Sequence, residues 1–175
     1  MIQVGLLGLS RRQGTFSEVG LRSWDEAGCA AVERVLETAG PGVLTVHRPL
    51  VIRSSRSGVE KVLRDWCDAP NRESRCEVIL TVGGTGFSPE DIMPEATSVL
   101  LQRPVVGIPE LLRRVGYDIG YPPAYLSRGV AGLRGKVLLI NLPGNVRELA
   151  DEASLKKMTE VLLPHIAELI SAIQE

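Results

Sequence analysis

A chain of 175 residues, 44% hydrophobic and 23% charged, has the size and make-up of one soluble globular domain with a substantial core. Twenty Lys and Arg against 21 Asp and Glu give a net charge of −1 with no long run of either sign, which argues against nonspecific nucleic-acid binding and against docking on a membrane surface. No uncharged apolar stretch of about 18 residues and no charged leader region is present, so the expectation is a cytoplasmic protein whose residues 1–175 form a single domain. Cys29, Cys67 and Cys76 form no CxxC pair, which argues for buried free thiols rather than disulfides or zinc. With only His47 and His165 available, histidine-centred catalysis is disfavoured.

In chain order, residues 2–10 are an apolar run of strand length that suits a buried parallel strand, followed by a polar, glycine-containing loop over residues 11–23. Ala31, Val32, Val35, Leu36 and Ala39 fall at helical spacing, and Gly40-Pro41-Gly42 supplies stop signals, so residues 24–39 read as a helix. Val43-Leu44-Thr45-Val46 reads as a second strand. The segment from Arg48 leads into the Ser/Arg-rich turn Ser54-Ser55-Arg56-Ser57-Gly58, and Val59, Val62, Leu63 and Trp66 mark the next helix. A strand over residues 78–82 ends at Gly83. Beyond it, Ser88 and Pro89 offer a short helical start, and Pro94-Glu95-Ala96-Thr97 offers a second. Ile108, Leu111, Leu112 and Val115 define another amphipathic piece. Residues 116–124 are irregular, Val137-Leu138-Leu139-Ile140-Asn141 is a strand, and Leu142-Pro143-Gly144-Asn145 punctuates it. The tail is helical in pattern, with breaks expected near Ser154 and Pro164. Alternating strands and helices predict a three-layer α/β/α fold with a mainly parallel sheet.

The stretch that organises the rest is Val78-Ile79-Leu80-Thr81-Val82-Gly83-Gly84-Thr85-Gly86-Phe87-Ser88-Pro89-Glu90-Asp91. Glycines there let backbone N–H groups approach an anion, which makes a phosphate cradle the first reading; a left-handed turn between strand and helix is the other. It matches neither GxxxxGK[ST] nor GxGxxG.

Taken with Ser10, with Asp91-Ile92 and Pro94-Glu95-Ala96-Thr97, with Leu126-Ser127-Arg128 and Ala131-Gly132, and with Leu139-Ile140-Asn141-Leu142-Pro143-Gly144-Asn145, this stretch resembles the molybdenum-cofactor family of molybdopterin adenylyltransferases. That family includes the Mog and MoaB proteins and the G domain of gephyrin. The resemblance implies a pocket for molybdopterin and nucleotide formed by Ser10, Gly83, Gly84, Thr85, Gly86, Ser127, Arg128, Pro143, Gly144 and Asn145. It implies that magnesium and ATP deliver AMP to the terminal phosphate of molybdopterin, with Asp91 as the catalytic and metal-binding acid. A homotrimer and a molybdenum-insertion partner protein belong to the same expectation. Such residue types suit nucleotidyl transfer, which is mostly positioning and charge stabilisation. Each also has a plainer reading: Asp91 can answer the Ser88 cap, Ser127-Arg128 can start a turn and pair with an acid, and Pro143-Gly144 can be only a turn.

The chain departs from the family pattern at charged positions. Ser10-Arg11-Arg12 replaces a Ser-Asp start, Arg53-Ser54-Ser55 aligns with a Pro-Asp-Glu that carries an acid regarded as catalytic, and Glu90 stands in place of Arg. Met93 stands in place of a capping Thr, so the following helix start is expected to be looser by around 1 kcal/mol. Pro104-Val105-Val106-Gly107 replaces Glu-x-Pro-Gly. Fewer acids leave a more positive cleft with fewer magnesium ligands. A noncatalytic molybdopterin carrier is therefore the alternative function, and a scaffold role the third.

Overall fold

A computed structural model describes residues 2–10, 24–39, 44–46, 50–71, 75–144 and 152–174. Its elements are β1 (Ile2–Ser10), α1 (Trp24–Ala39), β2 (Leu44–Val46), β3 (Leu50–Arg53), α2 (Arg56–Cys67), β4 (Val78–Val82), α3 (Met93–Ser98), β5 (Arg103–Pro104), α4 (Gly107–Asp118), a 3₁₀ turn (Pro122–Leu126), β6 (Ala131–Arg134), β7 (Val137–Leu142) and α5 (Glu152–Gln174).

The sheet runs β2-β1-β4-β7-β6-β5. β1, β4 and β7 are parallel, and they are the runs in which apolar residues leave no polar face for water. β3 continues the line of β2 along the same edge of β1, so that Ser10 pairs with Arg53. The far edge is antiparallel: β6 folds back on β7 and β5 on β6. Two apolar clusters sandwich the sheet. α1, α4 and α5 cover one face with Val32, Leu36, Leu112, Val115, Leu162 and Ile166 against Leu6, Leu80 and Ile140. α2 and α3 cover the other with Val59, Leu63, Met93 and Ala96 against Leu7, Leu9, Ile79 and Leu139. These are the three layers expected from the alternation of elements.

Three local readings change. The segment that reads as a lead-in to a turn holds β3, and Ser55 caps α2 by accepting the Gly58 N–H at 3.3 Å. Ser88 and Pro89 start no helix; residues 88–91 form a turn closed by Asp91 N–H to the Ser88 carbonyl at 2.8 Å. α5 runs unbroken through Ser154 and Pro164. Leu162, Ile166 and Ile170 at four-residue spacing are all buried against the sheet, and such packing outweighs local propensity. The helical reading of residues 146–151 lies outside the described residues, as do His47 and the loop at 11–23.

Met93 forms the first turn of α3 without a side-chain cap. The start is anchored instead by the Met93 N–H donating to the Gly84 carbonyl at 3.1 Å and by the complete burial of the Met93 side chain. Cys29, Cys67 and Cys76 are buried and form no disulfide; loss of water pushes the Cys67 thiol up to about 12 and that of Cys76 to about 11. Among the described residues no helix is long and apolar enough to cross a membrane.

Candidate functional site

The C-terminal ends of β1, β4 and β7 lie side by side, and the chain leaves β1 toward one edge of the sheet and enters β4 on the other side of it. Open α/β sheets bind ligands at such a switch point. The loop after β4 begins with Gly83 and Gly84, both at positive φ (90° and 69°), conformations that an L side chain resists. Space is as restrictive as conformation. A Cβ on Gly84 would lie 2.4 Å from Leu9 Cδ2, and one on Gly144, just beyond β7, would lie 2.2 Å from the Gly83 Cα. The loop is thus wedged between the ends of β1 and β7.

Its carbonyls are then taken in succession by the protein. Gly84 O accepts from Met93 N at 3.1 Å, Thr85 O from Arg128 N at 3.0 Å, and Gly86 O from Arg128 Nε at 2.7 Å. In a trans peptide the following N–H points opposite to the carbonyl, and there are no cis bonds among the described residues. The N–H groups of Thr85, Gly86 and Phe87 are therefore each directed away from the donor that holds the preceding carbonyl. Among the described residues, nothing in the chain accepts from them. Successive free amides of this kind are what binds an anion in glycine-rich turns.

Asp91 closes the turn from below. It is 4% exposed, and its Oδ2 accepts the Ser88 N–H at 2.9 Å. A Cβ on Gly86 would stand 2.6 Å from that oxygen, so only glycine lets the carboxylate pack this closely against the loop. Asp91 thus does answer Ser88, although the Ser88 hydroxyl itself bonds the Glu90 carboxylate rather than capping a helix.

Arg128 faces the loop rather than solvent. Besides Gly86 O, its guanidinium donates to Asp91 O at 2.7 Å and to the Glu95 carboxylate, and its Cζ lies 5.6 Å from the Phe87 ring centroid. Hydrogen bonding to Arg128, assisted by the charge of Arg56, holds the Glu95 carboxyl below its usual value of 4.5. A depressed carboxyl contributes stability that is complete above that value and is lost as pH falls through the folded-state value. The stability gap between wild type and Glu95→Gln should thus be present at pH 7 and close toward acid pH in chemical denaturation; a gap that widens toward acid would refute the pairing.

The remaining expected residues are distributed around this turn. Ser10 ends β1, and its carbonyl accepts the Ser54 N–H at 3.0 Å. Ser127 and Pro143 line a small, shallow pocket with Leu112, Ala124, Gly129 and Asn141, partly open to solvent. Asn145 and Arg11 lie outside the described residues. Two groups carry more than their sequence signal suggested. Ser54, in the place of an expected acid, ties the β3–α2 turn to the loop by donating to Glu90 O at 2.7 Å. Asn141, Thr81 and Thr97 form a buried network beneath the pocket. Its signal was available: Thr81 and Asn141 are polar residues set in apolar strands.

These features define a molybdopterin-binding fold. The family model described as "Probable molybdopterin binding domain" matches residues 32–167, and the chain belongs to that family. A molybdopterin adenylyltransferase of Helicobacter pylori (strain J99 / ATCC 700824) is 32% identical over 174 residues, 98% of this chain and 88% of that protein. Gephyrin of Dictyostelium discoideum is 34% identical over 137 residues, 78% of this chain but 17% of gephyrin. Among solved structures, the molybdopterin biosynthesis enzyme MoaB from Thermus thermophilus is 36% identical with a TM-score of 0.72, over 99% of this chain and 96% of that one.

Proposed function

We propose that this protein is a molybdopterin adenylyltransferase: a cytoplasmic enzyme that passes AMP from ATP to molybdopterin. The observation that carries the reading is the row of free amides at Thr85, Gly86 and Phe87, placed at the head of the central strand in a chain 32% identical to a relative of that name. In the reaction, an oxygen of the pterin's terminal phosphate attacks the α-phosphorus of ATP; the new P–O bond forms as the bond to the β-phosphate bridge breaks, and pyrophosphate leaves. The free amides meet phosphate oxygens. Ser127 and Pro143 supply pocket wall, Ser10 ends β1 and Gly144 packs against Gly83; Asn145, outside the described residues, belongs to the proposal through the family pattern alone. The Ser127 hydroxyl accepts from Gly129 N at 3.4 Å, and its own proton remains available to a phosphate oxygen.

Among the described residues no group of three or more His, Cys, Asp or Glu side chains could cage a metal. A magnesium ion that travels with ATP needs only one or two carboxylates beyond the phosphates. Asp91 is the acid of the loop proposed for that part, a carboxylate whose Oδ2 holds the Ser88 N–H at 2.9 Å beside the side-chain-free Gly86. When bound, magnesium neutralises developing phosphate charge. Assembly as a homotrimer and delivery to a molybdenum-insertion partner are part of the same proposal; exposed Val106, Tyr117, Tyr125 and Leu126 offer apolar surface for association.

Chromatographic detection of adenylylated molybdopterin from magnesium-ATP tests the function. Binding without transfer would instead favour the carrier reading, which the tethering use of the Ser54 hydroxyl supports. Asp91→Asn separates the two duties of Asp91, because its amide oxygen still accepts from Ser88 while the charge is gone. Transfer should fall roughly 100-fold with the fold intact, the scale of a lost charge-stabilising group. Unchanged transfer by Asp91→Asn would remove Asp91 from metal binding.

A further inference from the structure

We propose that Arg128 is a positioning residue for the glycine loop and not the cation that binds substrate phosphate; this rests on the anion-binding reading of that loop. Arg128 holds the loop at three carbonyls and is itself held by Glu95 of α3. Its N–H holds Thr85 O at 3.0 Å. Its Nε holds Gly86 O at 2.7 Å and its Nη2 holds Asp91 O at 2.7 Å. Nη1 is taken by Glu95. Gly86 and Asp91 are the two ends of the turn that carries the Asp91 carboxylate, so one planar fork fixes the distance across that turn. Phe87, 71% exposed, stands between them with its ring against the guanidinium.

Two consequences follow from the direction of these bonds. The carbonyls of Thr85 and Gly86 are turned toward Arg128, and the trans peptides then turn the N–H groups of Gly86 and Phe87 outward. Arg128 thereby builds an anion site out of backbone amides without lending its own charge. Glu95, coming from the first turn of α3, neutralises that charge locally, while its Oε2 is buried and finds no partner among the described residues. An anion arriving at the loop meets a guanidinium with Nε, Nη1 and Nη2 each already donating, to two carbonyls and a carboxylate, while the Arg128 backbone N–H holds a third carbonyl. The planar fork is what the loop requires, and an ammonium group of the same charge cannot reproduce its spacing.

Charge and shape make opposite demands on two variants. If Arg128 acts through the loop, Arg128→Lys loses affinity for inorganic pyrophosphate by about ten-fold or more, as much as Arg128→Gln does, the scale of one or two charge-assisted hydrogen bonds. Glu95→Gln then also weakens binding, because the fork is no longer held. If Arg128 binds the anion directly, Arg128→Lys stays within about two-fold of wild type, and Glu95→Gln tightens binding by freeing the cation. Calorimetric titration of the full chain reads both; the second pair of results overturns the proposal. Guanidinium ion added to Arg128→Ala should restore affinity where ammonium does not, and equal rescue by both would also overturn it. Amide ¹⁵N relaxation without ligand at Phe87 and Ile92, whose peptide carbonyls the guanidinium holds, provides an arm independent of the function. In Arg128→Lys those amides should become more mobile than in wild type, and unchanged relaxation rejects the positioning role even if the wild-type protein transfers no AMP. Transfer absent from wild type, with the loop loosened in Arg128→Lys, would defeat the adenylyltransferase reading alone.

Discussion

Gly144→Ala should reduce adenylyl transfer roughly 100-fold and lower stability by about 1–3 kcal/mol, although it adds a single methyl group. The backbone at Gly144 is not in the left-handed region, so the substitution imposes no conformational penalty of that kind. The obstruction is spatial. The new Cβ would lie 2.2 Å from Gly83 Cα, 2.9 Å from Gly83 N and 3.4 Å from Gly83 C. These are main-chain atoms, which have no rotamer to escape into. The ends of β4 and β7, paired through Val82 and Leu142, must part by about 1 Å or more to restore an ordinary contact. That movement is transmitted directly to the amides of residues 84–87, and a displacement of that size at a reacting centre costs roughly 100-fold. Gly84→Ala carries both penalties, because its φ of 69° resists a side chain and the new Cβ would lie 2.4 Å from Leu9 Cδ2. Steady-state transfer and thermal unfolding on both variants check the argument. Wild-type rates in Gly144→Ala would mean that the two loops are not in the contact described.

How much of this could be read from the sequence depended on whether a signal was local. β1, α1 and β4 have the extents their residues predicted, because an uninterrupted apolar run or a helical apolar stripe records burial directly. β3 did not announce itself: Leu50-Val51-Ile52-Arg53 is only four residues long, follows a proline, and becomes a strand through its pairing with β1. The antiparallel edge was equally silent, since β5 has two residues and β6 begins in the short, small-residue-rich segment 125–132. The unbroken α5 reflects burial of its stripe, a tertiary fact that outweighed the proline signal. In the site, the glycines and Asp91 were legible as types. Their actual constraints were not: Gly84, Gly86 and Gly144 answer contacts with Leu9, Asp91 and Gly83 from three segments of the chain. The alternative of Arg128 pairing with a surface acid is met in geometry by Glu95, whose side chain is 42% exposed and stands beside the loop. Where local pattern and tertiary requirement disagree, function and packing have the final influence.

The same distinction makes Asn141 the second position where a large effect is expected. Asn141→Leu conserves approximate volume at a site 2% exposed and should nevertheless destabilise the protein by about 2–5 kcal/mol. The amide nitrogen donates to Thr81 Oγ1 and Thr97 Oγ1, both at 2.9 Å, and the amide oxygen accepts the Val130 N–H at 3.2 Å. Leucine leaves two buried hydroxyls and one backbone N–H without that partner, and each such loss costs about 1–3 kcal/mol in desolvation. The network joins β4, β7, α3 and the segment after Ser127, so the pocket wall at Ser127 and Gly129 should shift as well; Gly129 already sits where a Cβ would lie 3.1 Å from Asn141 O. The decisive variant is the triple substitution Asn141→Leu, Thr81→Val, Thr97→Val. It removes the stranded hydroxyls together with their partner and should regain a substantial part of the stability lost by Asn141→Leu alone. Equilibrium denaturation of the single and triple variants measures the difference. If the triple variant is no more stable than the single one, the lost stability lies in packing or in the Val130 contact, and the buried network does not hold the pocket wall in the way its geometry implies.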